Sequence, residues 1–335
     1  MRIFKFPSFS LLWLLALEIL LRAFVVNPGD LDTWSYSNSG LGDLPPNRNF
    51  IASENPFLPY RVVTNSLGLR NSEDVSLVKP AGKIRILTIG DSFTFGPYVN
   101  NQDTYPSKLE QILKQKYPEV EVLNAGIPGY TLKDELEYLE EKGVKLNPDV
   151  IVVGVYIADL SRYGASSQAI FSRAQHQRTE ARWGWLLKLA RKSAILAEVR
   201  QLAKNWTLPK VQKDIKPTTA PDQSDLQFLP AYLEDLKGLL KLADDQHIKL
   251  LYLFLPAYIQ EVENSTYFPQ VKIIEKFPAD RPKLDLLPIF QANPYPKSLY
   301  LMPLNSHLSA FGNEIVASAA AEKIKEILSQ NPESN

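Results

Sequence analysis

The first apolar run of the globular part of the chain ends in a glycine, and an aspartate and a serine follow it. The run KIRILTIG (83–90) is short and rich in β-branched residues, which predicts a buried strand that ends just before Asp91 and Ser92. In open α/β sheets, ligands bind at the carboxyl ends of the strands. Ser92 is therefore a candidate nucleophile, although most Gly-Asp-Ser tripeptides are turns or helix caps.

A serine nucleophile needs a base, and the chain has only three histidines. His176 lies in a polar stretch, and His247 lies between DDQ and an apolar run, as a surface turn would. His307 directly precedes a C-terminal helical pattern, in a loop that can reach the same sheet edge as Ser92. His307 is the candidate base, and the alternative is a helix-capping or surface histidine.

The elements that would position these residues alternate along the chain. Apolar runs predict strands at 83–90, 120–126, 148–157 and 248–256, and helical periodicity predicts helices at 104–117, 132–144, 226–246 and 309–329. Strands that alternate with helices indicate a parallel sheet with right-handed crossovers. The predicted fold is a three-layer α/β/α domain with a mainly parallel, flavodoxin-like sheet.

The N-terminal 26 residues differ from this pattern. Arg2 and Lys5 precede an apolar stretch from Phe9 to Val26, long enough to span a bilayer as a helix and not followed by a small-residue cleavage site. We expect residues 1–26 to be an uncleaved signal anchor that leaves the rest of the chain outside the cytoplasm. The alternative is a buried amphipathic helix of the globular domain.

Two further segments flank or interrupt the domain at 83–335. Residues 27–82 are rich in Pro, Asn, Gly and Ser, which predicts an extended linker that contains at most one strand. A basic insertion at about 162–225 carries an amphipathic helical pattern at 183–206. That helix is either an interfacial membrane contact or a cap packed on the sheet domain.

Composition excludes several classes of site. The formal net charge is zero, which favours no nucleic-acid partner, and the chain has no cysteine and hence no disulfide or thiolate metal site. Three dispersed histidines make a zinc site unfavourable, and neither GxxxxGK[ST] nor GxGxxG occurs. The sequence thus predicts no metal and no cofactor.

Three stretches, in order, resemble blocks of the SGNH, or GDSL-like, hydrolases. ILTIGDSFTFG (86–96) is similar to the first block with Phe93 at the leucine position, NAGIPGYT (124–131) to the second, and NSHLSAFGNEIVA (305–317) to the block with the catalytic histidine. The resemblance implies Ser92 as nucleophile, His307 as base, and the backbone N–H groups of Ser92 and Gly129 as oxyanion donors.

The chain departs from the family pattern at two positions. Ala158 stands where the third block has an asparagine that donates to the oxyanion, and Asn305 stands where the catalytic aspartate is expected. The loss of one oxyanion donor lowers kcat by about 10²–10³ in a known hydrolase. An Asn305 carbonyl can orient His307 without stabilising its charge, and Asp91, Asp159 and Asp285 are candidate supporting carboxylates.

Two classes of function follow from the resemblance. One is a serine esterase that acts on O-acyl groups, such as O-acetyl, of carbohydrate or lipid, or an O-acyltransferase if an acceptor outcompetes water. The other is a catalytically degenerate domain that binds a glycan or a protein partner. Ser92, Gly129 and His307 favour the enzyme, whereas Ala158 and Asn305 favour the binding domain. The expected partners are an ester substrate and the membrane.

Overall fold

The computed structural model describes residues 13–20, 44–52, 57–156, 160, 163, 195, 223–258 and 268–329. The chain divides into two compact units, Met1–Ser35 with Ala169–Thr218, and Tyr36–Gln168 with Thr219–Asn335. In the first unit, residues 13–20 are helical, and the Glu18 carboxylate accepts a hydrogen bond of 3.1 Å from the Ile195 N–H. Over the described ranges, no helix is both long and apolar enough to cross a membrane.

Most of the predicted anchor (1–26) and nearly all of the insertion at 162–225, including the helix predicted at 183–206, lie outside the described residues. The second unit contains all the strands and helices named below.

The second unit begins with an antiparallel hairpin. Strands β1 (Arg48–Ala52) and β2 (Tyr60–Thr64) pair in register from Arg48 opposite Thr64 to Ala52 opposite Tyr60. Alternate side chains of both strands are buried, among them Phe50 and Val62, which join the hydrophobic core of the α/β domain. This region differs from the extended linker predicted for 27–82, because period-two burial gives each strand an apolar face to pack.

The main sheet has five parallel strands. They are β3 (Ile84–Gly90), β4 (Val120–Asn124), β5 (Val150–Tyr156), β6 (Lys249–Leu255) and β7 (Lys283–Asp285), in the order β4-β3-β5-β6-β7. Every neighbouring pair is parallel. Counted from β3 as the first strand, this is the flavodoxin-like order 2-1-3-4-5, so the predicted sheet is confirmed.

Helices cover both faces of the sheet. They are α1 (Ser92–Phe95), α2 (Tyr105–Lys114), α3 (Leu132–Tyr138), α4 (Leu229–Asp245), α5 (Phe268–Lys276), α6 (Leu287–Gln291) and α7 (Ala310–Ser329). Residues of α3, α4 and α5 share one buried cluster with Leu87 and Ile89 of β3. Residues of α2, α6 and α7 share the other with Ile86. Successive residues of β3 thus face opposite layers, as in any strand buried on both sides.

Candidate active site

A tight turn between β3 and α1 presents Ser92. Gly90 has φ +151°, and a Cβ there would lie 2.2 Å from Thr94 Oγ1 and 2.8 Å from the Gly154 carbonyl oxygen, so only glycine fits. Asp91 is fully buried and caps the helix, its Oδ1 accepting a hydrogen bond of 2.8 Å from the Phe93 N–H. Ser92 is therefore fixed as the first residue of α1, directly beyond the carboxyl end of β3.

The serine hydroxyl meets the predicted base. Ser92 Oγ lies 2.8 Å from His307 Nε2, although the two residues are 215 positions apart in the chain. The segment before α7 is held by a backbone hydrogen bond of 2.9 Å from the Leu301 N–H to the His307 carbonyl. Ser92 is 8% exposed and His307 is half-buried. The distance lies within the range expected of a nucleophile and its general base.

Asn305 completes a series of three hydrogen-bonded side chains, and its hydrogen bonds determine which ring nitrogen of His307 carries the proton. Asn305 Oδ1 lies 2.6 Å from His307 Nδ1 and also accepts a hydrogen bond of 2.9 Å from the His307 backbone N–H. A backbone N–H can only donate, so the atom that faces it must be the amide oxygen and not the nitrogen. Nδ1 then carries the ring proton, and Nε2 is left to accept the proton of Ser92.

A buried hydroxyl pair supports the back of the nucleophile turn. Thr94 Oγ1 lies 3.0 Å from the Tyr105 hydroxyl and donates to the Ile89 carbonyl at 3.3 Å. Since the single proton of Thr94 is used there, Tyr105 donates to Thr94. Burial raises the pKa of Tyr105 far above its usual value, so its hydroxyl stays protonated. The pair ties α2 to the end of β3 behind Ser92.

Two aromatic rings lie close to the imidazole of His307. The Phe93 ring lies 4.9 Å from that of His307 and stacks on Tyr156, the last residue of β5, at 3.9 Å and 17°. Tyr98 lies 5.9 Å from His307, with a left-handed backbone at φ +64°. None of these three aromatic residues was predicted as a site residue, although Phe93 stands at the leucine position of the first family block and Tyr156 lies in the predicted strand 148–157.

Gly129, the second predicted oxyanion donor, sits in the turn between β4 and α3. The Tyr130 N–H donates to the Ile127 carbonyl at 3.1 Å across Pro128 and Gly129, and Gly129 has φ +86°. Proline followed by a residue with positive φ is the pattern of a type II turn. The hydrogen bond of the turn is made by the Tyr130 N–H and does not use the N–H of Gly129.

Three further positions considered from the sequence are Ala158 and the carboxylates Asp159 and Asp285. Ala158 and Asp159 lie outside the described residues, so a role for Asp159 stays a prediction. Asp285 Oδ1 accepts a hydrogen bond of 3.0 Å from the Leu287 N–H at the start of α6, which is a local turn contact. Within the described ranges, no group of three or more His, Cys, Asp or Glu side chains is arranged to hold a metal ion.

A family model also matches the sequence around the nucleophile. The model of the GDSL-like lipase/acylhydrolase family matches residues 88–248. The chain carries a GDSL-like lipase/acylhydrolase domain. The matched stretch of this GDSL-like domain contains Ser92 and Gly129 but ends before Asn305 and His307. The contact between Ser92 and His307 therefore comes from the structure and not from the family match.

Solved structures of similar shape were also found. An acetyl xylan esterase, AlAXEase, is 20% identical with a TM-score of 0.44, over 73% of this chain and 100% of that one. A lipase/acylhydrolase from Enterococcus faecalis is 15% identical with a TM-score of 0.44, over 75% and 100%. Axe2, an acetylxylan esterase from Geobacillus stearothermophilus, is 19% identical with a TM-score of 0.42, over 72% and 94%. These values are too low to transfer an activity. No curated protein sequence matches the chain.

Proposed function

We propose that the GDSL-like domain is a serine esterase that cleaves O-acyl groups from carbohydrate or lipid. The observation that carries the proposal is the contact of 2.8 Å between Ser92 Oγ and His307 Nε2 in a half-buried site. A degenerate domain would have no requirement to keep this distance or the tautomer that Asn305 imposes. The arrangement therefore favours turnover over binding alone.

Acylation begins at the hydroxyl of Ser92. As Ser92 Oγ attacks the acyl carbonyl carbon, His307 Nε2 takes the hydroxyl proton, and the resulting imidazolium keeps its Nδ1–H on Asn305 Oδ1. The carbonyl oxygen becomes an oxyanion, for which we propose the N–H groups of Ser92 and Gly129 as donors. His307 then gives the proton to the leaving alcohol oxygen as its bond to the acyl carbon breaks.

Deacylation repeats the same proton path with water. His307 Nε2 takes a proton from the water as its oxygen attacks the acyl carbon bound to Ser92. Collapse of the second oxyanion releases the carboxylic acid, and the proton returns to Ser92 Oγ. An acceptor hydroxyl in place of water would transfer the acyl group, which is the O-acyltransferase alternative.

The first test is covalent labelling of the full-length chain with a fluorophosphonate probe. We expect the wild type to be labelled, and Ser92→Ala and His307→Ala, each folded by circular dichroism, to remain unlabelled. Wild-type protein that is folded but resists the probe would refute an activated serine. If the probe labels the wild type, fresh unlabelled protein is then given acetylated sugars and short-chain lipid esters, with and without an acceptor alcohol, to separate hydrolysis from transfer.

We also propose that the domain lies outside the cytoplasm, at the membrane. The basic residues Arg2 and Lys5 before the apolar stretch at 9–26 support this orientation. The test is protease treatment of right-side-out and inverted membrane vesicles. Digestion of the domain only in right-side-out vesicles is expected, and digestion only in inverted vesicles would refute the orientation.

A further inference from the structure

A buried arginine reaches the active-site loop from outside the matched stretch of the family. Arg70, in the loop after β2, is 2% exposed. Its Nη1 donates to the carbonyls of Phe95, at 2.6 Å, and Gly96, and its Nη2 donates to the Val99 carbonyl at 2.6 Å. Its Nε donates to Asn101 Oδ1 at 3.2 Å. One guanidinium thus binds four acceptors between the end of α1 and Asn101.

The loop held by Arg70 carries an aromatic side chain to the imidazole. Gly96 ends the helix of Ser92, its N–H donating to the Ser92 carbonyl at 2.9 Å. Two residues later Tyr98 adopts φ +64°, with its ring 5.9 Å from His307 and 5.4 Å from Tyr60 of the hairpin. A left-handed tyrosine costs on the order of 1 kcal/mol or more and persists only where its surroundings fix it.

We infer that Arg70 is a positioning residue, which holds loop 96–101 so that Tyr98 stays against His307 and the helix of Ser92 keeps its place. A planar guanidinium with five N–H donors can serve several carbonyls at once, and its charge suits the carbonyl end of a helix. A lysine keeps the positive charge but lacks the planar set of N–H donors. The catalytic consequence rests on the proposed esterase function, whereas the geometric one does not.

The chain offers a matched control at the opposite edge of the sheet. Arg85, near the start of β3, is 0% exposed and also donates to three carbonyls, those of Leu146 at 2.5 Å, Ser76 at 2.8 Å and Leu77 at 3.3 Å. Its Nε binds Glu121 at 2.6 Å. Arg85→Lys should therefore cost stability as Arg70→Lys does, without reaching the active site.

The experiment compares full-length wild type, Arg70→Lys and Arg85→Lys by two readouts. The first is the ring C–H resonance of His307 in histidine-labelled protein, assigned with His307→Ala, because ring currents report the position of Tyr98 without any turnover. The second is the rate of fluorophosphonate labelling. Arg70→Lys should shift the resonance and slow labelling about 10-fold to 100-fold. Arg85→Lys should leave the resonance in place and labelling within about twofold of wild type.

Tyr98→Ala supplies a second variant, since Tyr98 is only half-buried and packs against the hydrophobic core from outside it. It should shift the His307 resonance, and added to Arg70→Lys it should slow labelling by less than the product of the single effects. An unshifted resonance in either variant, or equal effects of Arg70→Lys and Arg85→Lys, overturns the inference. Wild-type protein that is not labelled refutes the esterase, and the resonance then decides the role of Arg70 alone.

Discussion

Replacing Asn305 with aspartate should make the domain a faster esterase at alkaline pH. Asn305 Oδ1 already accepts from both His307 Nδ1 and the His307 backbone N–H, and a carboxylate oxygen can accept from both in the same place. The exchange therefore adds a negative charge beside the imidazole and leaves the tautomer unchanged. The imidazolium that forms when Ser92 attacks gains a charged partner, while the neutral ground state gains little.

The distance sets the size of the effect. Opposite unit charges about 4 Å apart attract by about 4 kcal/mol near a protein surface, and desolvation of the new carboxylate offsets part of this. A carboxylate at such a distance shifts the pKa of its partner by about one to three units. We expect kcat/KM to rise about 10-fold to 100-fold on its alkaline plateau. The 10⁴-fold loss for Asp→Asn in serine proteases is larger because there the imidazole also takes the wrong tautomer.

The pH dependence of kcat/KM tests the direction of the effect as well as its size. A carboxylate favours the protonated imidazole, which cannot act as a base, so the acidic limb of kcat/KM should move to higher pH in Asn305→Asp. The gain should therefore shrink as the pH falls. Asn293→Asp is the control, because Asn293 Oδ1 accepts the Tyr295 N–H at 2.8 Å in the same kind of local turn. A rate unchanged or lowered at alkaline pH in Asn305→Asp would refute the role assigned to Asn305.

Three further predictions concern the frame of the site. Gly90→Ala should abolish fluorophosphonate labelling because its Cβ meets Thr94 and Gly154, whereas Gly82→Ala, also at positive φ but with no described atom within 4 Å, should label as wild type does. Burial raises the pKa of Asp235 above its usual 3.8, so its contribution to stability is present below that value and is lost as the pH rises through the raised pKa. Asp235→Asn keeps an acceptor for the Tyr163 hydroxyl. The melting temperature of this variant should therefore exceed that of the wild type by more at pH 7 than at pH 4. Asn313, 1% exposed, accepts the first backbone N–H of α2 at 2.9 Å, so Asn313→Ala should lower the free energy of unfolding in urea by about 1–3 kcal/mol; a change under half that would contradict the assignment.

The sequence predicted the parts of the fold that carry long apolar signals. Four strands and three helices appear within a few residues of their expected bounds, because continuous apolar runs and 3.6-residue periodicity mark such elements in the sequence. The helix predicted at 132–144 is α-helical only to Tyr138 and continues as a π-helical turn, Leu139–Gly143. Strand β7 is three half-buried residues, and α6 has five residues, too short for either period to show. Of the hairpin, the sequence indicated one strand at most, because the two strands are five residues each and lie among proline and asparagine turns.

The proximity of Ser92 and His307 could be predicted because residue type alone leaves few candidate pairs. One serine after a strand and one histidine before the last helix could be paired because so few alternatives exist, and the family blocks pointed to the same pair. Arg70 could not be found in this way, since an arginine in a polar stretch is ordinarily solvated. Its burial depends on carbonyls more than 20 residues away, which only the folded chain brings to it.

The strand order explains why distant pieces of chain meet at this edge. Helix α2, which follows β3, packs on one face of the sheet, and α3, which precedes β5, packs on the other. The connections at the neighbouring strands β3 and β5 therefore run to opposite faces, and in such sheets ligands bind in the crevice between the carboxyl ends of the two strands. Ser92 follows β3, and Tyr156 ends β5 on the other side of that point. His307, the proposed base, comes from the loop before α7, far beyond residue 248 where the family match ends. A chain cut at residue 248 would keep the match and Ser92, yet it would lose His307 together with strands β6 and β7 and helices α5 to α7. The proposed esterase activity therefore depends on the terminal segment, which the family match does not include.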